Sequence, residues 1–254
     1  MDTQMKVTPE SKQVLSTTVQ DELCLELSPV DQSTADEEIQ ECNAHLFIKG
    51  SPIKHVIAEI PHDEVTKLKE AALLLKTIEL NYVLGLKMHF IIDNDDVNLL
   101  YQPLYMSRPP SIIGEPVYTV KEGDYYRFDP VQRKFSKMTS SKQVNTLKTA
   151  YTTHIRIKHR LDVTPTGYIP GLDSDAVIFP FQTIDDLIRE NEGNGFFIHN
   201  SIRKEAVGGA YSIQHCLLLS SAILTGNSFK GKFANRSHLC PPSCNSIQYA
   251  LAKV

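Results

Sequence analysis

Two stretches of the chain share one rhythm, and that rhythm limits the fold more than any other feature. HVIAEIPHDEVTKLKE (55–70) and AVIFPFQTIDDLIREN (176–191) each run through a short apolar strand, a proline and a polar, acidic opening to a helix. Proline suits the first turn of a helix because its missing N–H has no intrahelical partner there, and acids favour the positive helix end. Apolar runs of strand length beside helix-period runs exclude both an all-α and an all-β chain.

Extending the rhythm gives an element map. His45–Ile48 reads as a strand, Gly50–Pro52 as a turn and His55–Ile60 as a second strand. Val65, Leu68, Ala72 and Leu75 fall at helical spacing and predict a helix over 63–80. A break at 81–85 follows, then LKMHFIIDN as a strand and DNDD (93–96) as a turn. The second copy predicts a helix over 183–191, with Thr183 and Asp186 placed like a capping box. FFIHNSIR and YSIQHCLLLSSAIL complete it as strands, the latter chosen over a buried helix. The expected fold is α+β: a mainly antiparallel sheet with two principal helices and two similar strand-helix-strand halves.

The rest of the chain frames this core. Residues 1–43 are polar and read as an acidic, partly disordered arm: residues 1–44 hold ten acids against two lysines. A single domain is expected over 44–233, with a basic, β-rich middle at 107–173 and a tail at 234–254. Within 107–160, eleven Lys and Arg face four acids. EPVYTVKEGDYYRF reads as a hairpin turning at EGD, and THIRIKHRLDV as a strand with His154, Arg156, Lys158 and Arg160 on one face.

Several function classes are excluded by what the 254 residues lack. Neither GxGxxG nor GxxxxGK[ST] occurs, so no phosphate-binding loop is legible, and no GxSxG or HExxH is present. DNDD lacks the spacing and the later glutamate of a calcium loop. No apolar run reaches membrane-spanning length, and the first residues lack a signal-like apolar core. Five cysteines, an odd number, do not fit a secreted disulfide framework. The expected compartment is the cytoplasm.

Three sets of residues carry candidate chemistry. SHLCPPSC (237–244) gathers His238, Cys240 and Cys244, three ligands of a zinc site whose fourth would come from elsewhere in the fold. Zinc is the one candidate cofactor. Cys216 is a candidate nucleophile with His199 or His154 as its base and Asn200 or Asp175 as orienter; the adjacent His215 points to the opposite strand face. Arg127, Arg133, Lys134, Arg156, Lys158 and Arg160, interleaved with Tyr125, Tyr126 and Phe128, are candidate anion contacts for nucleic acid or another polyanion. The net charge of -4 and pI near 6.1 weigh against a dedicated nucleic-acid binder.

The run ANRSHLCPPSC, after YSIQHCLLLSS and a proline-acid helix opening, resembles a group of uncharacterised bacterial proteins ending in Cys-Pro-Pro-x-Cys. The resemblance implies no activity, cofactor or partner. The expected function is a non-enzymatic binding or assembly protein, acting through a protein partner or self-association. A Cys/His-centred enzyme and a polyanion binder are the alternatives.

Overall fold

The computed structural model describes residues 29–74, 80–107, 118–121, 123–153, 175–207, 210–221, 224–225, 228–229, 233–234 and 238–240. Along the chain run β1 (Pro29–Val30), α1 (Gln32–His45), β2 (Phe47–Ile48), β3 (Ser51–Pro52), β4 (Val56–Pro61), α2 (His62–Leu74), β5 (Leu80–Asp93) and β6 (Asp96–Ser107). Then come β7 (Tyr118–Val120), β8 (Tyr126–Asp129), β9 (Lys134–Lys137), α3 (Ser141–Tyr151), β10 (Ala176–Pro180), α4 (Phe181–Glu190), β11 (Gly195–Val207) and β12 (Ala210–Ser220). Short pieces follow: β13 (Leu224–Thr225), β14 (Ser228–Phe229), β15 (Phe233–Ala234) and β16 (His238–Cys240).

Two sheets organise these elements. A five-stranded sheet has the order β1-β15-β12-β11-β4, and a seven-stranded sheet the order β16-β10-β5-β6-β8-β9, with β7 also on β6. Every strand pairing among the described residues is antiparallel. The expected α+β class with a mainly antiparallel sheet is therefore the observed one.

The two copies of the rhythm occupy equivalent places, with an exchange. One half is α1, β4, α2, β5, β6, and the other is α3, β10, α4, β11, β12. β4 pairs with β11 of the other half, and β10 pairs with β5. Each half thus lends its first strand to the other's hairpin. Each lends its first helix too: α1 packs on β11, and α3 on β5.

The joints match residue for residue. Pro61 lies opposite Gly195, and Pro180 opposite Gly85. At both glycines a Cβ would overlap a carbonyl oxygen, that of Phe179 or of Ile60, and would stand 3.0 Å from the Cα of the following proline. A glycine is needed where two backbones approach this closely. Val65 and Leu68 of α2 and Ile184 and Leu187 of α4 stand at the same distances from their prolines, and all four are buried. One apolar core joins α2, α4 and the inner faces of both sheets, with Phe90, Tyr101, Phe179, Ile60 and Phe196 among its largest members. Lys69 of α2 pairs with Asp185 of α4 and lies 4.9 Å over the Phe181 ring, so the two equivalent helices also touch.

Several expectations are corrected. Residues 29–43, the later part of the expected partly disordered arm, form β1 and most of α1. Asp31 caps α1 by accepting the Thr34 N–H at 2.9 Å, and Ala35, Ile39 and Cys42 form its buried stripe. The acidic exterior hid this stripe. Residues 1–28 lie outside the described residues. α3 was also missed; Ser140 caps it, and Val144 and Tyr151 are buried. EGD does not turn a hairpin. β7 and β8 both pair with β6, at Leu104–Met106 and at Leu100–Tyr101, so the intervening residues bulge from an interrupted strand. The true hairpin is β8–β9, closed by Asp129, which accepts from the Val131 and Gln132 N–H groups.

Other differences are smaller. α2 is described to Leu74, and β5 already begins at Leu80, before the expected break. Thr183 lies inside α4, whose N-cap is Pro180, so the capping box does not form. Asp186 accepts instead from Gln182 and Arg189. DNDD turns as expected: Asn94 and Asp95 both take positive φ, 52° and 59°, which suits a two-residue hairpin turn. The expected strand through 154–163 lies outside the described residues.

Candidate functional site

The cysteine-histidine centre is sealed. His199 and Cys216 share the outer face of the five-stranded sheet beneath α1, and Cys216 lies opposite Ser201. His199 is fully buried, and its Nε2 shares a 2.7 Å hydrogen bond with Ser220 Oγ. Burial and the nearby His55 push its pKa down to about 3, so the ring is neutral near pH 7. Cys216 Sγ lies 2.9 Å from Ser201 Oγ. Cys42 of α1 is its electrostatic neighbour, with a pKa raised by burial. Both are buried free thiols. Each candidate is thus held by a serine, and a thiol in apolar surroundings resists forming the reactive thiolate.

His215 faces the other way, as strand alternation requires. It lies between Phe90, stacked at 4.2 Å, and two polar partners. Asn200 Nδ2 donates to the Lys54 carbonyl at 2.7 Å, which leaves Asn200 Oδ1 to accept from His215 Nε2–H at 2.9 Å. In the neutral ring, Nδ1 then accepts from the Tyr151 hydroxyl at 2.8 Å. This buried chain ties the end of α3 to β11, β12 and the residue before His55. Asp175, the other proposed orienter, sits elsewhere, its carbonyl accepting from Phe90 N–H.

The zinc candidates are brought together only in part. β16 pairs with β10, so His238 lies opposite Ile178 and Cys240 opposite Ala176. Cys244 lies outside the described residues. Among the described residues, no group of three or more His, Cys, Asp or Glu converges for a metal ion.

The anion candidates also divide. Arg127 pairs with Asp93. Arg133 grips Glu59 through both terminal nitrogens, at 2.8 and 3.1 Å. Lys134 is exposed on β9. Arg156, Lys158 and Arg160 lie outside the described residues. Acids of β4 and β5 thus neutralise Arg127 and Arg133.

A different cationic group lies on the outer face of the seven-stranded sheet, beneath α3. Lys87 and His89 occupy alternate positions of β5. Lys87 stands between Ile178 of β10 and Gln102 of β6 in the register. His89 Nε2 and Gln102 Oε1 are 3.0 Å apart, and Gln102 donates to the Lys121 carbonyl at 2.9 Å. Since Gln102 spends its amide N–H there, its oxygen accepts from His89. The Tyr125 ring lies between His89, 5.4 Å away, and the Lys148 ammonium of α3, also at 5.4 Å. Burial, then the Lys148 charge, brings the Lys87 pKa down to about 8, with Asp175 opposing. Lys148 is lowered by burial, again against Asp175. Burial, then Lys148 and Lys87, holds His89 well below the usual histidine range. The pKa of each half-buried ammonium group is thus lowered chiefly by burial, and Asp175 opposes the shift of each.

Sequence reasoning missed this group because α3 was missed. The signal was present: Ser140 followed by Val144, Leu147 and Tyr151 has capped, helical spacing. A helix there would have laid Lys148 over the polar alternation of LKMHFI.

No protein family, no curated protein and no solved structure matches this chain. Among the described residues, no helix is long and apolar enough to cross a membrane.

Proposed function

We propose that this is a non-enzymatic binding protein whose ligand is a small anion, held between Lys87 and Lys148. One observation carries the reading: two half-buried lysines, Lys87 of β5 and Lys148 of α3, lie on one sheet face that a helix half covers, and burial lowers the pKa of both. Burying like charges costs free energy, and such a cost marks a functional site more often than a structural one. An anionic carboxylate or phosphate would offset it. The Cys/His-centred enzyme is the weaker reading, because His199 and Cys216 are buried and bonded to serines.

The ligand is small rather than a polyanion. A nucleic-acid backbone needs a row of open cations, since each neutralised phosphate takes a separate contact. Arg127 and Arg133 are already neutralised within the fold. Lys87 and Lys148 form a point rather than a track. The cytoplasm is the proposed compartment, where the buried thiols of Cys42 and Cys216 would stay reduced.

Thermal unfolding with inorganic phosphate and with acetate, at low ionic strength, tests the proposal. Either anion should raise the midpoint of the wild type, and Lys148→Gln should lose most of that rise. No rise with either anion, or an equal rise in Lys148→Gln, would overturn it.

A further inference from the structure

We propose that a second copy of this chain is a partner: two copies exchange halves through the Pro130–Arg133 turn and close as a two-fold dimer.

Each half completes the other. Among the described residues β4 pairs only with β11, so the first half holds no sheet partner for its own first strand. β10 reaches across to β5 in the same way, and α1 and α3 cover strands of the opposite half. The strands before those helices obey the same rule. β1, before α1, pairs with β15, and β9, before α3, pairs with β8. Counting from the matched glycines, Lys87 corresponds to Phe197 and His89 to His199. Opposite Lys87 and Phe197 stand Gln102 and Ser220, each bonded to the histidine of its own hairpin. The arrangement is that of a strand-exchanged, two-fold dimer whose two chains have been joined.

Side chains tie the same seam. Lys69 pairs with Asp185, Phe90 stacks on Tyr151 and His215, and Asn200 donates to the Lys54 carbonyl. A half that swings away loses these contacts and bares the strand and helix it had lent. The matching half of a second copy presents the identical surface, so every one of the contacts is remade between copies.

A single turn connects the halves. β8 ends at Asp129 and β9 starts at Lys134, so only Pro130 to Arg133 close the hairpin. All of these turn residues are exposed, Val131 at 91%. Arg133 takes φ 51°, a left-handed conformation that is unfavourable for a residue with a Cβ. Short hinges under strain invite exchange, because an extended hinge relieves the turn and costs no contact between the halves. The hinge's own link to the body, Arg133 to Glu59, is a half-exposed ion pair of the kind that contributes little. Protein concentration decides between the two closures, since the tethered half competes with free copies through its effective concentration. In the exchanged dimer β5, with Lys87, and α3, with Lys148, come from different copies. The exchange itself does not depend on the anion proposed above.

The experiment is refolding of the full chain from urea at micromolar and at near-millimolar concentration, read by size-exclusion chromatography with light scattering. While monomer predominates, the dimer-to-monomer ratio should rise about tenfold for each tenfold rise in protein. Refolding a tagged and an untagged chain together should give a mixed dimer, whereas mixing the two folded proteins should not. Inserting Gly-Ser-Gly-Ser between Val131 and Gln132 relaxes the turn and should make the dimer roughly tenfold scarcer. Deleting Val131 and Gln132 prevents closure and should make the dimer the main species. Monomer alone at every concentration in the wild type would sink the proposal. Mixed dimers formed from folded proteins would do the same, by making the association a surface contact. So would an insertion variant that dimerises as readily as the wild type, or a folded deletion variant that stays monomeric. The wild type and the insertion variant, whose strands are unaltered, decide the matter even where the deletion variant does not fold.

Discussion

The hairpins β5–β6 and β11–β12 each meet a borrowed strand in the same register from the glycine onward, until β11–β4 shifts between Ile198 and His199, and each carries a buried histidine bonded diagonally to its partner strand. They differ in what surrounds that histidine. Around His199 the face is closed: Leu218 packs with Ala35 and Ile39 of α1, and Phe197, Ser201 and Cys216 are buried on the same sheet face. Around His89 lie Lys87, Gln102 and, from α3, Lys148. Burying a phenylalanine contributes about 2 kcal/mol, whereas holding an ammonium away from water costs stability. One fold thus supports a sealed face and a cationic one. Stability given up locally is commonly retained where a ligand restores it.

The strongest way to break the comparison is at the joints. Gly195→Ala and Gly85→Ala each push a methyl into backbone that cannot yield, and Gly195 also has φ +133°. Each should lose about 3 kcal/mol or more of unfolding free energy in urea, with Gly195→Ala the worse. A tolerated alanine at either site would show that the joints are not equivalent.

Exchanging the distinguishing residues comes next. Phe197→Lys should cost about 3 kcal/mol, since it removes apolar burial and places an ammonium on a buried face. Lys87→Met should act in reverse, raising stability by roughly 1 kcal/mol while removing most of the phosphate stabilisation. Denaturant midpoints of the two variants decide the matter. A loss of stability in Lys87→Met would make Lys87 a structural residue and end the contrast between the faces.

Acid tests what the two faces share. His199 has a folded pKa of about 3, below its ordinary value of 6.5, and His89 is depressed too. Below pH 6.5 the unfolded chain binds protons that the folded chain refuses. The stabilisation is therefore complete above pH 6.5 and is lost as pH falls from there toward 3. The slope should be about 1 kcal/mol per pH unit for each histidine. Urea unfolding of the wild type and His199→Gln between pH 7 and 5 reads it directly. The variant should lose about 1 kcal/mol per pH unit of that slope, and an unchanged slope would mean that His199 takes up its proton in the folded state.

Legibility in the sequence followed the same division. The α2 and α4 units were readable because a proline stands between a buried strand and a strongly periodic helix. The Asn94–Asp95 turn was readable because those residue types tolerate positive φ. α1 was not, because its buried stripe is only Ala35, Ile39 and Cys42 within a run of acids and glutamines. α3 was hidden similarly by lysines and threonines. Those two helices cover the faces where the candidate chemistry lies. Missing them made Cys216 look available and left Lys87 unremarked. Ion pairing also escaped the sequence, because the partners of Arg127 and Arg133, Asp93 and Glu59, are distant in the chain.

The smallest expected effect separates the cationic face from the rest of the basic middle. Arg133 and Glu59 form a half-exposed pair at the edge of the structure. Such pairs contribute little, because water screens them and two long side chains must be held still. Arg133→Gln should change stability by no more than about 0.5 kcal/mol. It should leave phosphate stabilisation intact, unlike Lys148→Gln. If Arg133→Gln instead removed the phosphate effect, anions would be binding along the β8–β9 edge, with charge more important than burial. The difference between Lys87 and Phe197 would then describe how two equivalent faces are packed and would say nothing about what either one binds.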